Sequence, residues 1–181
     1  MIQNALLTKN KYTRPGIIRK HTNGIVMHYT MVPGATAQNQ RDSFNREHVK
    51  KYRSAHYIIG IKGEILHIIP ENEKAYHCGA WIYKPGIVDH FGPDPNMTSI
   101  GVELCHKHHD GRLEDVTVYY AKLFVGYLCE KYDLNPITEV FRHFDITGKT
   151  CPKQWVLYPQ EFEDFKMSLK INMGCTVSLT H

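Results

Sequence analysis

Strand-like and helix-like segments interleave along this 181-residue chain, which predicts an α/β fold. Two observations carry that expectation. The segments 55–61 and 64–69 are β-branched and apolar and are joined at Lys62-Gly63, the pattern of a hairpin. Between Asp115 and Tyr132, apolar residues recur at helical spacing, with Pro136 just beyond the end. The length suits one domain with a core that needs no disulfide staples.

Taken in order, the chain starts as a loop ending at Pro15-Gly16. A strand from Ile25 to Thr30 follows and breaks at Pro33-Gly34. Thr36 is placed to cap a helix reaching about Tyr52, with Phe44, His48 and Tyr52 on one face. After the hairpin, which Pro70 closes, the stretch Trp81 to Met97 is rich in Pro, Gly and aromatics and reads as a long surface loop of the kind that lines sites. Ser99 to Cys105 is a strand with Ile100, Val102 and Leu104 on one face and Gly101, Glu103 and Cys105 on the other. The helix over 115–132 is expected to bury Val116, Tyr120, Leu123, Phe124, Tyr127 and Leu128. A last helix begins near Pro159 with Phe162, Phe165 and Leu169 as its stripe, and the residues from Asn172 to His181 read as a frayed end or linker stub.

Composition narrows the function classes. Lysine and arginine exceed aspartate and glutamate by 22 − 18 = 4, a mild excess with no basic run of the kind nucleic-acid binders carry. The five cysteines are scattered without paired spacing, which points to synthesis in a reduced compartment; Cys78, Cys105, Cys129 and Cys175 read as small buried hydrophobes. The apolar run in Met1 to Lys9 is too short for a signal peptide, and no later segment approaches a membrane span.

The chemistry concentrates in Arg142 to Cys151, where His143, Lys149 and Cys151 share a turn-rich loop, and in His28 at the end of the first strand. Thr147-Gly148 permits a bend that brings imidazole and thiolate together. Two histidines and a thiolate make a three-ligand zinc set, which leaves a coordination position for water and points to hydrolysis. Plainer readings stand beside this one. His28 fits a core histidine, and Cys151 with His143 fits a thiol nucleophile and its base. Glu103 is either a solvated edge residue or a general base; Lys149 is either a surface lysine or an oxyanion partner; His77 is either a loop residue or a substrate donor.

Five motifs in one order complete the picture: His28 closing a strand, Ala55-His56-Tyr57 opening a hairpin, Ala75-Tyr76-His77-Cys78-Gly79, Ser99-Ile100-Gly101-Val102-Glu103, and Arg142-His143 through Lys149-Thr150-Cys151-Pro152. From Ile25 to Trp155 the chain resembles the type 2 N-acetylmuramoyl-L-alanine amidases, the family of phage endolysins and bacterial autolysins that shares its fold with peptidoglycan recognition proteins. The resemblance implies a central mixed β-sheet flanked by helices, a zinc amidase catalytic domain over residues 1–171 and a tail or linker stub over 172–181. It implies one zinc ion held by His28, His143 and Cys151, Glu103 as general base, Lys149 stabilising the tetrahedral intermediate, and His77 contacting substrate. The bond cut would be the amide between the lactyl group of N-acetylmuramic acid and the L-alanine of the stem peptide. One position departs: where another branch of the family has a catalytic tyrosine before the hairpin histidine, this chain has Ala55, which favours the glutamate branch and leaves Tyr57 as core.

The expected partner is bacterial peptidoglycan, with no nucleic acid and no stable membrane insertion. Without a signal peptide, an endolysin of this kind would accumulate in the host cytoplasm and reach the wall after release. No wall-binding repeat follows the catalytic region, so either the domain works alone or the tail after Lys170 marks the junction to a separate cell-wall-binding module. The alternatives are a non-catalytic peptidoglycan-binding recognition module, which loss of metal ligands would mark, and a cysteine peptidase using Cys151 and His143.

Overall fold

Short β-branched segments that alternate faces build the centre of the molecule. In the computed structural model, residues 2–46 and 50–172 are described, with side chains as far as Leu169. The first elements are β1 (Ile2–Asn4), β2 (Gly24–Tyr29), α1 (Ala37–Phe44), β3 (Tyr57–Ile59) and β4 (Ile65–His67). After them come α2 (Ile87–Phe91), a 3-10 turn at Pro95–Met97, β5 (Ser99–Leu104) and α3 (Asp115–Tyr132). The chain continues through α4 (Pro136–Glu139), β6 (Val140–Arg142), α5 (His143–Thr147), α6 (Lys153–Leu157) and α7 (Pro159–Asn172).

Six strands form one sheet in the order β1-β4-β3-β5-β2-β6. Among the described strands of this sheet, the β3–β4 hairpin pairs antiparallel and the other neighbours pair parallel, so the sheet is mixed and helices flank it, as expected. The alternation in β2 and β5 sorts the two faces. Ile25, Met27, Ile100, Val102 and Leu104 pack with Ala121, Phe124, Val125 and Leu128 of α3 and Phe162, Phe165 and Leu169 of α7 in the main core. On the opposite face, Ile58 of β3 packs with Phe44 of α1, and Val26 of β2 packs with Phe91 of α2 and Ile146 of α5. His28 and Glu103 belong by alternation to this second face.

Several expectations needed correction. The capping helix ends at Phe44, well short of Tyr52, because Asn45 caps it and its side-chain oxygen accepts from the Thr8 amide at 2.7 Å. Thr36 does cap the start, accepting from the Asn39 amide. Tyr52 is exposed and lies against Tyr12 and Tyr76; His48 lies outside the described residues. The buried stripe of α3 keeps Phe124 and Leu128 of the expected set but is rotated toward Thr117, Ala121, Val125 and Cys129, while Val116 and Tyr127 face solvent. The helix meets both the sheet and α7, so its buried face is broader than a single stripe. The segment expected to be an irregular loop contains α2 and the 3-10 turn. The loop-like start contains β1, which pairs with β4 at the sheet edge. Residues 173–181 of the expected tail lie outside the described residues.

Candidate metal centre

Three parallel strands end on the same side of the sheet, and each delivers one functional group there. His28 is the fifth residue of β2, Glu103 the fifth of β5, and His143 follows β6 directly. Such carboxyl ends are where open sheets place their ligands. Cys151 comes from the loop after α5. That loop is closed by Gly148, which caps α5 at φ +80°, and by the Phe144 amide donating to the Cys151 carbonyl at 2.9 Å. An Arg142–Asp145 ion pair at 2.7 Å, with Arg142 also donating to the Trp155 carbonyl, fixes the start of α5. The bend expected at Thr147-Gly148 is the device that joins His143 to Cys151.

His28, His143 and Cys151 are all buried, and their donor atoms lie within 4.8 Å of one another. The Nδ1 atoms of His28 and His143 are 3.1 Å apart, and a tetrahedral zinc with typical nitrogen bonds would set them about 3.3 Å apart. Cys151 Sγ stands 3.9 Å from His28 Nδ1, against about 3.6 Å for such a centre. The donor set therefore fits zinc in identity and spacing. Burial holds His28 well below its ordinary value, and His143 and His77 add to the effect; His143 itself is lowered to about 4 by burial and Lys149. Burial thus favours the neutral form of both rings, the form in which imidazole binds metal.

A second triad of His28, His77 and Cys78 meets the same distance criterion. It uses the other ring nitrogen of His28, whose Nε2 is 3.1 Å from His77 Nδ1. The reactive groups gather on the first triad. The Lys149 ammonium acts on His28, His143, Cys151 and Glu103. Cys78 was expected to be a plain buried residue; it is fully buried but touches His77, at 3.1 Å from Nδ1. The expectation for Cys105 and Cys129 holds, both being buried free thiols, and Cys175 lies outside the described residues.

Glu103 is half-buried, and its Oε2 is buried with no hydrogen-bond partner among the described residues. Burial pushes its carboxyl up to about 7, although Lys149 and Arg53 pull the other way. A carboxyl poised there can take and return a proton near neutral pH. Lys149 is exposed beside this group. Arg53, a second cation acting on Glu103, was not singled out in the sequence, where it is one basic residue among Lys50, Lys51 and Arg53. Burial, then Glu103, pushes the Cys151 thiol up to about 12, and the ring that contacts its sulfur belongs to His28. This is a poor setting for a thiolate nucleophile paired with His143. Tyr57 is core as expected, buried against Phe124 with its hydroxyl bonded to Glu71.

Comparison with known proteins gives a consistent result. The family model described as N-acetylmuramoyl-L-alanine amidase matches residues 19–154. The chain is 42% identical over 175 residues to N-acetylmuramoyl-L-alanine amidase CwlL of Bacillus licheniformis, covering 94% of this chain and 47% of that protein. It is 40% identical over 177 residues to N-acetylmuramoyl-L-alanine amidase BlyA of Bacillus subtilis strain 168, with the same coverage. The chain thus spans about half the length of the curated relatives it matches. The solved structure of PlyL superimposes with a TM-score of 0.73 at 26% identity, covering 93% of this chain and 96% of that one. The catalytic domain of XlyA does so with a TM-score of 0.73 at 23% identity, covering 92% and 99%, and shares the fold.

Proposed function

The chain belongs to the N-acetylmuramoyl-L-alanine amidase family, and from that premise we propose that it is a zinc-dependent amidase of the endolysin type. Its substrate would be the amide joining the lactyl group of N-acetylmuramic acid to L-alanine in peptidoglycan. The observation that carries this reading is the meeting of His28, His143 and Cys151 at the end of the sheet, with Glu103 beside them. Zinc held by those three residues would supply Lewis-acid polarisation of the scissile carbonyl and a water nucleophile at neutral pH.

The protein's own groups divide the remaining work. Glu103, ionised above about pH 7, accepts the proton of the attacking water and then donates it to the alanine nitrogen as that amine leaves. The Lys149 ammonium stabilises negative charge on the lactyl carbonyl oxygen, as a cation reaching in from the exposed rim. Arg53 helps to keep the Glu103 carboxylate ionised. His77, expected from the resemblance to contact substrate, stands directly behind His28.

Among the described residues, no helix is long and apolar enough to cross a membrane. Action on the wall after release from the host cytoplasm, and cooperation with a separate wall-binding module, belong to the same proposal. The test is turbidity loss of purified Gram-positive walls by the zinc-loaded protein, the chelated protein and Glu103→Ala. Lysis by the first alone supports the amidase. Walls that bind the protein and stay intact under all three conditions contradict it in favour of a recognition module.

A further inference from the structure

We infer that His77 is a positioning residue for the metal centre: it fixes His28 in the tautomer that leaves Nδ1 free to bind metal. The inference rests on the zinc reading and changes the role expected for His77, from touching substrate to orienting a ligand. A run of hydrogen-bond partners of fixed polarity carries it. The Pro95 carbonyl can only accept, and Ser99 Oγ lies 2.6 Å from it, so the Ser99 hydroxyl proton is committed there. The lone pairs of Ser99 Oγ then face His77 Nε2 at 3.4 Å, which places the His77 proton on Nε2 and makes Nδ1 an acceptor. His28 Nε2 lies 3.1 Å from that Nδ1 and donates to it. With its proton on Nε2, His28 presents a bare Nδ1 to His143 and Cys151. The thiol of Cys78, 3.1 Å from the same Nδ1, is a second and weaker donor that agrees with this polarity.

The support for His77 is built into the fold. Its backbone amide and that of Cys78 both donate to Asn96 Oδ1 at 2.8 Å. Asn96 is buried and donates in turn to Asp94, which pairs with Lys74 at 2.6 Å. The ring itself lies on Gly101: a Cβ there would come within 2.6 Å of His77 Cγ, so a side chain at this position would displace the ring. His143 has no equivalent support, since its Nε2 is buried without a partner among the described residues. Metal-bound histidines characteristically donate their second N–H to a fixed acceptor, usually a carboxylate, carbonyl or water, and loss of such an acceptor typically costs about 10–100-fold in metal affinity.

The test combines zinc affinity, by competition with a chromophoric chelator, with nitrogen-15 NMR of the His28 ring in the metal-free protein. His77→Asn keeps an acceptor near the position of Nδ1, and His77→Leu removes it. The expected result is a His28 protonated on Nε2 in the wild type and in His77→Asn, and a mixture of tautomers in His77→Leu. Zinc affinity is expected to fall about 10–100-fold in His77→Leu and far less in His77→Asn. An unchanged tautomer and affinity in His77→Leu, with a raised KM for wall fragments, would overturn the inference and return His77 to substrate contact. Abolished binding in both His77→Leu and Cys78→Ala would overturn it by placing the metal in the second triad. If the wild type binds no zinc, the zinc reading fails, while the NMR arm still decides whether His77 sets the tautomer.

Discussion

His28 and Glu103 are register partners on adjacent parallel strands, β2 and β5. Direct partners in a sheet share a face, so the strand pairing itself sets the proposed metal ligand His28 next to the proposed proton carrier Glu103. Their spacing is then held by the most buried part of the sheet, where Met27 and Val102 on the opposite face are fully buried.

Replacing Glu103 removes the proposed proton carrier while leaving His28, His143 and Cys151 in place. Glu103→Gln is expected to lower kcat by about 10²–10⁴-fold with zinc stoichiometry unchanged. Steady-state kinetics on a soluble muramoyl peptide, with metal analysis of the same samples, checks both halves.

The carboxyl of Glu103 should titrate near 7 in the metal-free protein, because burial outweighs the nearby cations. Lys149 lowers that value, so Lys149→Met is expected to raise it, and zinc, a further positive charge, to lower it. Carbon-13 NMR of the glutamate carboxyls reads all three.

Metal-free protein should lose stability on mild acidification. Burial depresses His28, His143 and His77, the last two to about 4 and about 3, from an ordinary value of 6.5. Below pH 6.5 the unfolded chain takes up protons that the folded one refuses, so folding free energy drops as pH falls from about 7 toward 4. Urea denaturation at two pH values measures the drop. Zinc held by the folded neutral rings, as proposed, would raise stability at the upper pH.

The opposite face of the sheet should answer for stability and not for chemistry. Phe124 is fully buried against Tyr57, with ring centroids 4.5 Å apart. Phe124→Ala is expected to cost about 3–5 kcal/mol of folding free energy. Zinc affinity measured below the melting transition should be retained.

Much of this site was legible in the sequence because its parts are local. His28 closes a run of apolar strand residues, Glu103 falls by alternation on the face opposite Ile100, Val102 and Leu104, and Gly148 supplies the left-handed cap that lets His143 and Cys151 meet. The surroundings of His77 were not legible. Asn96, Ser99 and Gly101 act on it through contacts that only the folded chain creates, and each reads in sequence as an ordinary turn or strand residue. The errors in the fold have the same origin. α1 stops at Asn45 because of a bond to Thr8, 37 residues away, and the face of α3 is set by α7, which the periodicity of α3 cannot report. β1 has three residues at a sheet edge, too few for alternation to show.

Mass spectrometry of wall fragments released by the zinc-loaded protein tests the proposed amidase activity at the bond itself. The expected products are peptides with a free N-terminal L-alanine and glycan strands with intact lactyl groups, with release stopped by a chelator and restored by zinc. Cleavage elsewhere in the glycan or peptide, or release that survives chelation and is stopped by thiol alkylation, would contradict it.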